Sequence, residues 1–353
     1  MRSLEIDGYR VTDDNDCYVV AEIGCNHQGR LDRAKELFER AKACGVNAVK
    51  LQKRDNRALY TRRMYDMPYL NANSYGATYG EHREALELGR DEYVELQSHA
   101  ADLGLTMFAT PFDFPSVDFL AELDMPAYKM ASGDVTNTPL LEYVARLGKP
   151  MLVSTGGATI DDVQRAYDAI MPINRQLCIL QCTSSYPAEP EDLNLRVVEE
   201  YRRRFADIVI GLSDHQNGIA MALVGYMLGA RVIEKHFTIN RAWKGTDQAF
   251  SLEQPGMQRL VRDLQRARVA LGDGVKTVLP GEGAPILKLG KKLVAARDLK
   301  AGHTLTRADV AIKSPADGLP PHRLKSIVGR TTLRPLEADD TISPEDLTDG
   351  RDA

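Results

Sequence analysis

Eight short apolar runs, each followed by a stretch of helical period, leave this chain few folds to choose from. The runs read CYVVAEIG from Cys17, NAVKLQ from Asn47, LTMFAT from Leu105, AYKMAS from Ala127, PMLVST from Pro150, LCILQC from Leu177, DIVIGL from Asp207 and RVIEKHF from Arg231. They are mostly continuous rather than alternating, as parallel strands buried on both faces should be. The amphipathic segments between them cover 30–44, 90–103, 116–122, 139–147, 160–169, 194–205 and 218–228, and a last one covers 254–271. Gly45, Gly104, Gly148 and Gly229 stand where those helices should stop. Eight such units in about 270 residues predict an α/β fold of the TIM (β/α)8 barrel type. An open doubly wound sheet would want a GxGxxG turn after its first strand, and GCNHQG is not one.

Two stretches depart from short connections. Between Lys53 and Arg90 lies a long insertion containing NANSYGATYGEH. Connections of that length in a compact domain are usually functional, and this one is expected to overhang the mouth of the barrel. The second, LPGEGAPILKLGKK, reads as a linker, and after it the sequence turns to short strands and frequent turns. The expected domains are therefore a barrel over 1–279, a linker over 280–292 and a small β-rich domain over 293–353. A domain of roughly 60 residues is near the lower limit for a core of its own.

Net charge is −5 with a pI near 5.9, and no Lys/Arg stripe is present, which disfavours nucleic acid as a partner. Arg202, Arg203 and Arg204 read as a solvated helix end. The N-terminal MRSLEIDGYRV has no apolar core of a signal peptide, and no apolar run is long enough to span a membrane. Cys17, Cys25, Cys44, Cys178 and Cys182 are odd in number. Cys178 and Cys182 share a predicted strand about 13 Å apart, too far to bridge. A reducing cytoplasm fits these cysteines. Cys25 has no base beside it in the sequence to make it a nucleophile.

In a TIM barrel the active site lies at the C-terminal ends of the strands. The run from Val209 to Thr238 forms one strand–helix–strand unit, whose strands end on His215 and His236. Two imidazoles on neighbouring strand ends can bind a divalent metal; either alone could merely cap its strand. The other ends carry Glu22, Asn26 and His27; Lys50 and Gln52; Thr110; Lys129, Ser132 and Asp134; Ser154 and Thr155; Thr183 and Ser184; Ser213 and Asp214; and Glu234, with Asp247 in the loop beyond. Hydroxyls and two lysines suit a phosphate or carboxylate. Glu22, Asp134 and Asp247 suit sugar hydroxyls or proton transfer. The bland alternative is a pair of structural lysines neutralised by Glu22 or Glu234. The rim as a whole predicts a small phosphate-bearing substrate beside a metal; it does not give the reaction, and Asp214 has no assigned role.

At these residues the chain resembles the sialic acid synthase family. The matching stretches are AEIGCNHQG at Ala21, AVKLQK at Ala48, TYGEHRE at Thr78, FATPFD at Phe108, YKMASGD at Tyr128, LVSTGG at Leu152, LQCTSSYPAEPEDLNL at Leu180, IGLSDH at Ile210, IEKHFT at Ile233 and KGTDQAFSLE at Lys244. The tail, with ARDLKAGHTLTRADV and IVGRTTL, resembles that family's antifreeze-like SAF domain, a β-clip fold. The resemblance implies a transferase that condenses phosphoenolpyruvate with the open-chain aldehyde of N-acetylmannosamine, or its 6-phosphate. The product would be N-acetylneuraminate, or its 9-phosphate, and phosphate would leave by C–O cleavage. It implies that His215 and His236 hold Mn2+ or Mg2+. It further implies that Lys50, Thr110, Lys129, Ser132, Ser154, Ser184 and Ser213 hold phosphoenolpyruvate. Glu22 would orient substrate or water, and Asn73 and Asp247 would reach the sugar. Asp134 is carried as a further catalytic acid.

The resemblance also implies a domain-swapped homodimer in which each tail covers its partner's barrel mouth. Bacterial members place an arginine in an R-P-G turn of that tail; here the turn reads IKSPADG, with Lys313 and Ser314. That stretch, with TYGEH and WKGTD, looks more like the animal members that make the 9-phosphate. The acceptor therefore stays open between a free and a 6-phosphorylated hexosamine, with Arg83, Lys244 and Lys313 as the cations that could meet a 6-phosphate. A synthase of a legionaminic, pseudaminic or KDN-type acid is the near alternative. A metal-dependent pyruvate aldolase or lyase, and a non-enzymatic glycan-binding scaffold, are the alternatives of other classes.

Overall fold

The computed structural model describes residues 2–348, in two compact units, Met1–Gly272 and Asp273–Ala353. The first opens with an antiparallel hairpin, β1 (Ser3–Ile6) and β2 (Tyr9–Thr12). Its turn is Asp7–Gly8, with both φ angles positive (50° and 76°), the backbone that a two-residue type I′ hairpin turn requires. Eight parallel strands follow: β3 (Tyr18–Gly24), β4 (Ala48–Lys53), β5 (Thr106–Pro111), β6 (Tyr128–Met130), β7 (Met151–Ser154), β8 (Leu177–Cys182), β9 (Val209–Asp214) and β10 (Val232–His236). They close into a barrel in which β10 pairs with both β9 and β3. Every predicted strand is present, so the closed (β/α)8 architecture stands and the open sheet does not.

Alternation along each strand sorts the side chains into two cores. Val19, Ala21, Val49, Leu51, Met107, Val153, Ile179 and Ile210 point outward against the helices. Tyr18, Val20, Ala48, Phe108, Leu152, Leu180, Val209 and Val232 point into the lumen, where Leu4, Ile6 and Val11 of the hairpin close its lower end. With the bottom filled by apolar groups, the lumen-facing polar residues are left to the upper end. The helices around the barrel run over Leu31–Ala43, Arg90–Leu103, Phe114–Glu122, Thr138–Ala145, Ile160–Ile170, Val197–Arg204, Ala220–Met227 and Gln254–Leu271. Local chemistry sets their ends: Asp113 accepts from the Ser116 amide at 2.7 Å to start one, and Gly104, at φ 62°, stops another.

The second unit has a small sheet of β11 (Lys292–Ala295) and β12 (Val310–Lys313), antiparallel. Leu293, Ala295, Leu299, Leu305, Val310, Ile327, Leu336, Ile342 and Leu347 form its core. Asp309 ties the surrounding turns, accepting from His303 Nε2 at 2.9 Å, the Thr306 amide at 2.9 Å and Arg297 Nε at 3.0 Å. These bonds, His303 first, hold its carboxyl far below the usual range. The stretch read as a linker is partly helical, over Gly283–Leu289, and the boundary between compact units falls at 272/273 rather than at 279/280. No helix among the described residues is long and apolar enough to cross a membrane. All five cysteines are free.

Candidate active site

The upper ends of the strands surround a cavity of ≈560 Å³. Its lining takes one or more residues from every strand or the turn after it, because the same alternation that points Tyr18 and Val20 inward also turns Glu22 inward, and so on around the ring. Glu22, Lys50, Asn73, Thr110, Lys129, Ser132, Ser154, Ser184, Ser213, His215, His236 and Asp247, all expected from the sequence, line it together.

Two buried lysines dominate the floor. Lys50 Nζ lies 2.8 Å from Glu22 Oε2, 3.5 Å from Glu234 Oε1 and 3.0 Å from Thr110 Oγ1. Lys129 Nζ donates to Ser154 Oγ at 2.6 Å and lies 3.9 Å from Glu234 Oε1. The lysines are thus both paired with acids and exposed to the cavity. Burial and the nearby Glu234 raise the Glu22 carboxyl, with Lys50 opposing. Burial also works to raise Glu234, but Lys129 and Lys50 outweigh it and bring that carboxyl down to about 2. The two acids are thus pushed in opposite directions, Glu22 up and Glu234 down. Burial lowers Lys129, although it has Glu234 to hold its charge.

The hydroxyls form an arc beside the lysines. Ser132 Oγ accepts from the Gly156 amide at 2.9 Å. A Cβ at Gly156 would stand 2.2 Å from Ser184 Oγ and 3.0 Å from Ser132 Oγ, so only glycine lets both serines approach this turn. Ser213 Oγ donates to Glu234 Oε1 at 3.2 Å. Two ammonium groups and an arc of donors make a cradle for a compact anion.

The two imidazoles stand above it, ring centroids 5.4 Å apart. His215 Nδ1 is 2.8 Å from the Thr183 carbonyl, which can only accept, so Nδ1 carries the proton and Nε2 is left with its lone pair. His236 Nδ1 is buried without a hydrogen-bond partner, and Asp247 Oδ2 lies 3.8 Å away. Burial pushes His236 down to about 3, against the pull of Asp247, so its ring is neutral. Burial also acts to lower His215, but the Cys182 thiol at 3.9 Å and the Thr183 carbonyl raise it overall. Among the described residues no group of three or more His, Cys, Asp and Glu side chains is arranged to hold a metal. The orphaned, buried Nδ1 of His236, with His215 Nε2 beside it, nevertheless fits a divalent cation whose other positions go to water or substrate oxygen.

Six residues named at the strand ends, Asn26, His27, Asp134, Thr155, Thr183 and Asp214, do not line the cavity. Asp134, carried as catalytic, does not line the cavity; its Oδ1 accepts from Asn137 Nδ2 at 3.1 Å and closes a turn after β6. His27 and Asn26 turn away too: His27 Nδ1 accepts from the Gly29 amide at 3.1 Å, and Asn26 joins Phe237 and Ser251 at 2.9 and 3.0 Å. Asp214 faces outward and pairs with Lys235 at 3.0 Å. Cys25 is half-buried, with Sγ 3.8 Å from Gln52 Oε1 and no base beside it. Among the lining residues that went unread are Arg54, Phe112 and Tyr186. Tyr186 packs on His215 with centroids 4.3 Å apart. Arg54 lies 3.8 Å over the Phe112 ring. All three sit in loops, where no periodicity marks a direction; a run of aromatic and basic residues just past strand ends was the signal available.

Residues 37–276 match the NeuB family model, and residues 292–348 match that of the SAF domain. The chain is 42% identical to the N-acetylneuraminate-9-phosphate synthase of Mus musculus, over 94% of this chain and 92% of that protein. It is likewise 42% identical to that of Homo sapiens, over 93% and 92%. Among solved structures it is similar to an N-acetylneuraminic acid synthetase from Leptospira borgpetersenii in complex with citrate, with a TM-score of 0.70 and 28% identity, over 81% of this chain and 95% of that one.

Proposed function

The chain belongs to the NeuB family, and from that premise we propose that it condenses phosphoenolpyruvate with the open-chain aldehyde of N-acetylmannosamine or its 6-phosphate. One observation carries the reading: the Lys50–Lys129 anion cradle and the His215–His236 pair open onto a single cavity. An anion site contiguous with a cation site is what joining a phosphorylated enol to an aldehyde demands. A pyruvate aldolase would have no use for so many phosphate donors.

Phosphoenolpyruvate would lie with its anionic groups on Lys50, Lys129, Thr110, Ser132, Ser154, Ser184 and Ser213. His215 and His236 would hold Mn2+ or Mg2+, which supplies Lewis-acid polarisation of the aldehyde oxygen. A set of two imidazoles favours Mn2+, because Mg2+ prefers oxygen throughout. Held in line, C3 of the enol attacks the aldehyde carbon, whose oxygen takes up a proton. Water adds at C2 and gives up a proton, and the tetrahedral carbon collapses to the ketone as its C–O bond to phosphate breaks, the C2 hydroxyl proton passing to the departing phosphate. Apart from that internal transfer, one proton is taken and one released. Glu22, whose carboxyl is raised and which faces the cavity, is the group suited to carry it. Asn73 and Asp247, which line the same cavity, would reach the sugar hydroxyls.

Phosphate release from phosphoenolpyruvate tests this with N-acetylmannosamine, its 6-phosphate, mannose 6-phosphate and diacetamido-trideoxy hexoses side by side. Release is expected with at least one hexosamine and a divalent cation. Product formed from pyruvate with no phosphate released would overturn it, and preference for a trideoxy hexose would move the chain to a legionaminic- or pseudaminic-type synthase.

The working form we propose is a homodimer in which the tail unit of one protomer covers the partner's barrel mouth, in a reducing cytoplasm that suits five free thiols. In support, the first part of the second unit carries exposed apolar side chains, Val275, Val278, Leu279 and Leu289 among them, at 60–71% exposure. A chain ending at Lys292 is expected to sediment as a monomer and to lose at least tenfold in kcat/KM, about 1.4 kcal/mol. A fully active monomeric barrel would contradict the swapped arrangement.

A further inference from the structure

We propose that Arg83 sets acceptor specificity by receiving a second anion, the phosphate ester at the far end of the hexosamine, separate from the anion held by Lys50 and Lys129. The inference rests on the reading of this cavity as a phosphoenolpyruvate–hexosamine site.

Four cations line the cavity, and their partners differ. Lys50 and Lys129 share Glu22 and Glu234. Arg54 has Glu87 at 3.9 Å and donates to Gln52 Oε1 at 2.6 Å. Arg83 alone has no carboxylate within 4.0 Å among the described residues. Its partner is the neutral hydroxyl of Tyr79, reached by Nε at 3.1 Å and Nη2 at 2.9 Å. A guanidinium has five N–H donors in a planar fork. One phenol leaves most of them unused, on a half-buried cation facing a cavity. That is an incomplete ion pair awaiting a bidentate oxyanion.

The guanidinium is held ready. Arg83 lies on the short helix Tyr79–Glu84, whose first turn is fixed by a reciprocal cap between Thr78 and Glu81. A Cβ at Gly80 would stand 2.4 Å from the Tyr65 ring, so the helix rests directly on that aromatic face. Tyr79 is gripped edge-on by Tyr60 and Tyr69, with centroids 5.1 and 5.3 Å away. The hydroxyl that aims Arg83 is therefore itself fixed, and the binding site needs little ordering when an anion arrives.

The other candidate cations drop out. Lys244 does not line the cavity; it is exposed, with Nζ 4.5 Å over the Tyr75 ring. Lys313 already has a carboxylate partner, Asp339. Arg83 is what remains for a substrate that is anionic at both ends of the reacting pair.

The test compares kcat/KM for N-acetylmannosamine 6-phosphate and for N-acetylmannosamine in the full-length protein, its Arg83→Gln variant and its Arg83→Lys variant, with circular dichroism confirming the fold of each. The unsubstituted protein is expected to prefer the phosphorylated acceptor. Arg83→Gln should cut that preference by about 10- to 100-fold, the worth of a charge-assisted hydrogen-bonded pair. The loss should fall on KM for the acceptor rather than on kcat, and Arg83→Lys should recover part of it. An unchanged preference in Arg83→Gln, or a preference of the unsubstituted protein for the free sugar, would overturn the proposal. If no acceptor released phosphate, the reaction assignment would fail by itself. Calorimetric binding of N-acetylmannosamine 6-phosphate to the unsubstituted and Arg83→Gln proteins would still decide the role of Arg83, with equal affinities refuting it.

Discussion

Replacing His236 by alanine is expected to lower kcat by about 10³-fold or more while leaving the fold intact, the scale of losing several kcal/mol of transition-state charge stabilisation. The separation of the two effects follows from what this ring does in the protein. Its Nδ1 has no hydrogen-bond partner, so the substitution strands no buried donor or acceptor. Burial holds it down near 3, so it is neutral and contributes no charge to an ion pair at physiological pH. What it gives the fold is ring packing, on Phe250 with centroids 4.9 Å apart, and losing that should cost about 1–3 kcal/mol. A ring with so little structural employment, buried beside a second imidazole, is what the proposed ligand role would leave. The check is steady-state phosphate release in buffer supplemented with Mn2+, together with the urea midpoint of each protein. Activity within tenfold of the unsubstituted protein would remove His236 from the ligand pair.

The barrel was legible because burial on both faces writes a continuous apolar run for each strand, and eight of these are hard to mistake. The hairpin β1–β2 escaped, although LEIDGYRV carries its signature, an Asp-Gly between Leu4–Ile6 and Tyr9–Val11. Strands of four residues are too short for periodicity to stand out. The site was legible to the extent that alternation fixes direction. Lys50, Thr110, Lys129, Ser154, Ser213, Glu234 and His236 all lie on strands whose inward face is set by apolar residues lower down. Asp134 was misread because β6 is only three residues long and the polar residues after it belong to a turn. Arg54 and Tyr186 depend on the course of loops, which no local pattern encodes. The same alternation, applied strictly, would have assigned Asp214: if Ser213 and Glu234 face the cavity, Asp214 and Lys235 face the helices.

That outward pair leads to the second large effect. Asp214 and Lys235 sit side by side in register on β9 and β10, both about 99% shielded from solvent along their side chains. Lys235 Nζ meets Asp214 Oδ2 at 3.0 Å and also reaches the Gln216 carbonyl, while Asp214 Oδ1 accepts from the Gln216 amide at 2.9 Å. Burial already lowers the Lys235 ammonium, with Asp214 opposing. Asp214→Ala removes the counter-charge and leaves an ammonium in a dry layer, which should cost about 3–5 kcal/mol of stability. The double replacement Asp214→Ala with Lys235→Met removes both charges, and its loss should be well below the sum of the single losses, since desolvation of the pair offsets much of its attraction. The pair also bolts together the two strands that end in His215 and His236. The double variant should therefore fold but turn over more slowly than the parent, because Gln216 loses both of its anchors next to His215. Urea unfolding of the four proteins closes the cycle. A loss under about 1 kcal/mol for Asp214→Ala, or strict additivity in the double variant, would mean that the two charges do not depend on each other.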